Sequence, residues 1–194
     1  MEIGATKAVQ DRLKTTKIEE SKGASLVFCW DTHLTKIKGR NVLFIVNASN
    51  RYTIAMTDIE PRNWNYYTMY ISRVIHGVMQ EMGYSEDQIG QYFKMSGDTT
   101  VTKTHGRKSV GGINRMVMDA QYFGKKLEKE AKYQWELSEY LNRDICQPEG
   151  FDAYGYPSEL FKLDMERLGI VAKRKPAKVI DFSQYIESNR GTND

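Results

Sequence analysis

SLVFCWDTHLTKIKGRNVLFIVNASNRYTIAMTDI, residues 25–59, is the stretch whose reading decides the fold. It is dense in β-branched and aromatic residues, and "KGRN" and "ASN" break it into three runs. Short runs joined by turn residues predict an antiparallel meander. In the middle run every residue from 42 to 46 is apolar, so both faces must be covered and the strand belongs inside the sheet. The next run alternates, which puts Tyr52, Ile54 and Met56 on one face.

Working outward, the first residues read as a short strand that passes at Thr6, a candidate N-cap, into a helix carrying Val9 and Leu13. On the other side Pro61 closes the sheet segment, and Tyr67, Ile71, Val74, Val78 and Met82 fall on one helical stripe that ends at Gly83. Ser85 and Gln88 stand at capping-box spacing ahead of Ile89, Tyr92 and Phe93. Residues 98–104 are β-like. Ile113, Met116, Val117, Ala120 and Phe123 predict a further amphipathic helix, with continuation through residues 125–141. A Gly- and Pro-bearing connection follows, expected to lie on the core through Phe151, Tyr154 and Tyr156, and then a helix over 158–168.

The expected fold class is α+β: a mainly antiparallel sheet with helices packed on one face, plus a C-terminal helical extension. The expected division is a core domain over 1–125, a helical extension packed on it over 126–172, and a polar tail over 173–194. A chain of 194 residues, 40% hydrophobic, suits one compact core with an appendage. Net charge is +3, from 28 Lys and Arg against 25 Asp and Glu, so any affinity for an anionic partner must come from local clustering. Cys29 and Cys146 have no second Cys or His at metal-ligand spacing, which argues against a zinc knuckle and fits reduced thiols in a cytoplasm. No apolar run suggests a signal peptide or a membrane span. Asn47-Ala48-Ser49 matches a glycosylation acceptor, a motif without force in a cytoplasmic protein.

Phe28-Cys29-Trp30, the strand over 34–38, the strand over 42–47, Arg51-Tyr52 and Thr102-Lys103-Thr104 together resemble a family of small bacterial proteins known only as a domain of unknown function. The resemblance spans about residues 1–125, and the rest is similar to nothing in the shorter members. It implies a small intracellular α+β protein and offers no catalytic residues to carry over. This chain departs from the family pattern at Asp31, where His follows the Trp, at His33, in place of Asn, and at His105, in place of a second Lys.

For enzymatic chemistry the candidates are His33 and His105 as general base and acid, with Lys103 stabilising phosphoryl charge. His33-Leu34-Thr35 is a single His-x-Thr element, whereas two-histidine phosphoesterases use two. Asp31 and His33 share a strand face and permit a metal pair, but no third ligand is evident, so no metal and no cofactor are expected. For anion binding the candidates are Arg107, Lys108, Ser109, Gly111 and Gly112 within KTHGRKSVGGINR, residues 103–115. There Ser109 would cap a helix whose bare N–H groups face an anion. The competing reading of this stretch is architectural: a helix start packed so closely that only glycine fits. The function expected is a non-catalytic binding or regulatory module with a protein partner. The alternative is a phosphate-directed enzyme, phosphoesterase or nuclease-like, or a nucleic-acid binder using residues 103–115. No membrane partner is expected, and the sequence leaves the oligomeric state open.

Overall fold

The computed structural model describes residues 1–15 and 18–173. The expected tail over 173–194 therefore lies, apart from Lys173, outside the described residues. β1 (Glu2–Ala5) is followed by α1 (Lys7–Leu13) and then by the meander. β2 (Cys29–Ile37) pairs antiparallel with β3 (Arg40–Asn47) from Trp30↔Asn47 to Ile37↔Arg40, and β3 pairs antiparallel with β4 (Thr53–Thr57). Lys38 and Gly39, with φ of 49° and 81°, form the two-residue turn whose twist suits a hairpin.

β1 adds what the meander does not announce. It runs parallel to β2 on one side and to β5 (Thr100–Thr102) on the other, giving the order β4-β3-β2-β1-β5. The sheet is mostly antiparallel and the fold is α+β, as expected.

Strand alternation then sorts the core into two halves. Ile3, Trp30, Leu43, Ile45, Ile54 and Met56 face Ile71, Ile75 and Met79 of α3 (Tyr67–Glu81), which follows the short α2 (Pro61–Asn65). On the same face lie Ile89 and Tyr92 of α4 (Glu86–Ser96), whose capping box from Ser85 to Gln88 is complete. Ile37, Val42, Phe44, Val46 and Ala55 point the other way. They meet Ile113, Met116 and Ala120 of α5 (Gly106–Gln121) and Leu137 and Leu141 of α6 (Trp135–Asn142).

Helices thus cover both faces of the sheet, which corrects the expectation of one. The apolar run of β3 already required it. Asp31, His33 and Thr35 concealed it, because polar residues on that face of β2 read as solvent-facing. The helix expected to continue past residue 125 also stops, at Gln121, and α6 starts afresh at Trp135.

The segment beyond residue 125 is built into the sheet. Asn142 takes the backbone N–H of Thr53 on its side-chain oxygen (2.8 Å) and donates to the Thr53 carbonyl (2.8 Å). Ser138 Oγ accepts from the Ala55 N–H (3.0 Å), and the Gln134 and Lys132 backbones complete the row at Ala55 and Thr57. The free edge of β4 is thereby satisfied partly by side chains of α6 and partly by a short antiparallel bridge at Tyr133, instead of by a full strand. α7 (Pro157–Arg167) returns to the first core and inserts Phe161 and Met165. Phe151 is buried beside Cys146 and Leu160, but Tyr154 and Tyr156 are 70% and 50% exposed, against expectation. The reason is local: Gly155 pairs with Cys146 through both backbone groups, so the tyrosines on either side of it stay outside. No described helix is long and apolar enough to cross a membrane.

Candidate functional site

Paired residues of neighbouring strands share a face, so the registers Glu2↔Cys29 and Gly4↔Asp31 place three polar side chains together on the α5 side. His105, from the loop between β5 and α5, closes the group. Its Nδ1 lies 2.7 Å from Asp31 Oδ1 and its Nε2 lies 3.0 Å from Glu2 Oε2. Its backbone N–H also donates to Asp31 at 3.2 Å, and Ser109 Oγ donates to the same carboxylate. Glu2 Oε1 accepts from the Lys22 backbone N–H at 2.9 Å. All these side chains are buried.

Burial opposes a charge on His105. Hydrogen bonding to Asp31 and Cys29, with the charge of Asp31, outweighs it and raises the imidazole pKa to about 10. Burial likewise works against the Glu2 carboxylate, but hydrogen bonds from Ser21, His105 and Lys22 hold it below its usual range. The result is an imidazolium clamped between two carboxylates. Cys29 completes the group: a carboxylate oxygen of Glu2, the Cys29 sulfur and a ring nitrogen of His105 lie within 4.8 Å of one another.

Gly4 makes the arrangement possible. Asp31 must lean across β1 to reach His105, and a Cβ on residue 4 would sit 1.8 Å from Asp31 Oδ1 and 3.0 Å from the Thr104 Cα. Gly4→Ala is therefore expected to cost about 3 kcal/mol, read as a lower urea midpoint with an unchanged slope. A variant within ~0.5 kcal/mol of the parent would show that the approach is loose.

Of the residues singled out in the sequence, Asp31, His105 and Ser109 meet in this buried group, and the others lie apart from it. His33 is half-buried, its Nδ1 is 3.2 Å from Thr6 Oγ1, and burial lowers its pKa. His105 has both ring nitrogens engaged, and Lys103 pairs with Glu20 at the surface. Neither Asp31 nor His33 meets the other as a metal pair, since Asp31 is taken by His105 and Ser109.

Of the anion candidates, Ser109 is not the helix cap: α5 begins at Gly106, after His105, and the Ser109 hydroxyl points inward to Asp31. Lys108 Nζ donates to the Pro148 carbonyl at 3.1 Å, while Arg107 and Gly111 are exposed. The glycine that the backbone demands is Gly106, at φ 90°. Gly112 has another reason. A Cβ there would stand 3.2 Å from Arg51 Nε, and Arg51 donates to the Gly112 carbonyl at 3.2 Å.

A second feature escaped the sequence reading altogether. Between α5 and α6 lies a cleft of about 580 Å³. Phe123, Trp135 and Tyr140 provide its aromatic walls, with Trp135 and Tyr140 each 42% exposed. Four carboxylates, Asp119, Glu136, Glu139 and Asp144, line it against two cations, Lys125 and Arg143. Lys38 Nζ already rests over the Phe123 ring at 5.8 Å. Tyr122 and Ile145, each adjacent in sequence to a lining residue, are 79% and 56% exposed. Trp135, Glu136, Glu139 and Tyr140 follow helical spacing, but their exposure depends on how α6 seats on β4, and sequence alone does not give that.

No curated protein and no solved structure matches the chain. A family model described as a domain of unknown function (DUF6933) matches residues 2–160, running past residue 125 through α6 and into α7. Those residues include β1 to β5, the buried Glu2–Asp31–His105 group and the α5–α6 cleft. The chain therefore belongs to the DUF6933 family, a domain of unknown function.

Proposed function

We propose that this protein is a non-catalytic binding module whose partner is another protein, and that a basic segment of that partner seats in the cleft between α5 and α6. One observation carries the reading: the exposed aromatic faces of Trp135 and Tyr140 stand beside four carboxylates, three of which already hold a cation, in one concave site. An arginine side chain suits such a site, because its planar guanidinium stacks on Trp or Tyr while its donors fork onto a carboxylate. Asp119, Glu136 and Glu139 already pair with Arg115, Lys125 and Arg143, so they are exchangeable partners for an incoming cation. The phosphate-directed alternative would need His33, Arg51 and His105 to line one cleft, and His105 is buried with both ring nitrogens engaged.

The test is selection of random dodecapeptides displayed on phage against the full chain. Enriched peptides should carry Arg or Lys. Their affinity should fall at least about tenfold in Trp135→Ala and in Tyr140→Ala, as expected for aromatic anchors. A selection that enriches nothing, or peptides that bind both variants unchanged, would overturn the reading. Both side chains are 42% exposed, so the variants are expected to keep the fold, which circular dichroism checks.

A further inference from the structure

Glu2, Cys29 and His105 have the composition of a metal centre, and we infer that they bind one divalent transition-metal ion, zinc being the ion that their mixed oxygen, sulfur and nitrogen donors suit best. The inference is independent of the α5–α6 cleft.

Three observations support it. First, the donor atoms lie within 4.8 Å of one another and belong to buried side chains brought in by three separate elements. Zinc bonds of about 2.0 to 2.3 Å at tetrahedral angles put donor atoms ~3.3 to 3.6 Å apart. The His105 Nε2 to Glu2 Oε2 separation of 3.0 Å needs to open by only a few tenths of an ångström.

Second, the remaining contacts are those that orient ligands. His105 turns Nε2 to Glu2 because Nδ1 is held by Asp31 at 2.7 Å, and Asp31 is fixed in turn by Ser109 and the His105 backbone. A carboxylate behind a ligating histidine sets the ring orientation and raises its basicity. Glu2 is oriented in the same way, since Oε1 is tied to the Lys22 N–H while Oε2 faces His105.

Third, Cys29 faces the Glu2–His105–Asp31 triad across the β1–β2 register and sets a soft sulfur donor beside it, its thiol resting on the Ser25 carbonyl at 3.4 Å. Metal entry displaces the His105 Nε2 proton and the Cys29 thiol proton, so the ion's two positive charges replace two protons among buried carboxylates. The three residues supply three of zinc's four ligands.

Cobalt(II) is the probe, because thiolate ligation gives it a charge-transfer absorption that oxygen and nitrogen ligands alone do not. It is added to the full chain both folded and during refolding from denaturant, since the donors are buried. The expected result is one cobalt per chain with thiolate charge-transfer absorption, abolished by stoichiometric zinc. Cys29→Ser should remove the band, Cys146→Ser should leave it, and Asp31→Asn should keep it while weakening zinc affinity by about 10- to 100-fold. The inference fails if the wild-type chain shows no charge-transfer band under either condition. It also fails if the band persists in Cys29→Ser, or if Cys146→Ser abolishes it. Those outcomes would leave the cluster as a buried ion-paired brace.

Discussion

Trp30→Ala is expected to lower the unfolding free energy by about 3–5 kcal/mol. The indole is fully buried at the centre of the larger core, 6.1 Å from the Phe161 ring, and its Nε1 donates to Tyr92 Oη at 2.9 Å. Tyr92 Oη passes the chain on to the Val27 carbonyl at 2.7 Å, so the indole joins β2, α4 and the turn before β2. Truncation leaves a cavity that α7, strand and α4 side chains cannot all close at once. Urea unfolding measures the loss, and intrinsic fluorescence gives a second reading. The other tryptophans, Trp64 and Trp135, are partly or largely exposed, so the variant's emission should shift to the red. A loss below ~1 kcal/mol would place Trp30 outside the load of the core.

Asp31→Ala is expected to be of the same size, about 3–5 kcal/mol, for a different reason. The substitution removes the acceptor for the His105 ring, the His105 backbone N–H and the Ser109 hydroxyl together, and leaves them buried. Asp31→Asn preserves the shape and part of the hydrogen bonding, and should cost less. The two sites around Asp31 should also couple. With the carboxylate gone, the 1.8 Å clash that opposes Gly4→Ala disappears, and only the Thr104 approach remains. The double variant should therefore be more stable than the sum of the single losses by about 1 kcal/mol or more. Strict additivity would mean that Gly4 is needed for Thr104 and not for Asp31.

The parts of this fold that sequence revealed are those governed by neighbours along the chain. The β2–β3–β4 meander, the α3 stripe and the Ser85 capping box each rest on residues within a few positions of one another. The rest depends on distant partners. β1 is four residues long, and its place between β2 and β5 is fixed by residues 29–32 and 100–102, so no local period announces it. The same distance hid the buried group: positions 2, 29, 31 and 105 form no motif until parallel pairing aligns the first two and α5 delivers the last. His105 was visible as a candidate, though for surface catalysis, because sequence alone gives no sign that carboxylates flank it on both sides. Ser109 looked like a cap because Ser before an apolar helical pattern usually is one, and Asp31 claimed its hydroxyl instead.

The sealing of β4 by α6 sets an order on synthesis. Thr53 and Asn142 are 89 residues apart, so at about 5–20 residues per second the edge strand leaves the ribosome ~4 to 18 s before the side chain that covers it. During that interval the nascent chain carries a hydrophobic hairpin with one row of backbone groups open to any neighbouring strand. A polysome holds many such chains close together. A chain truncated before α6 would keep that exposure permanently, and its first recourse would be another copy of itself.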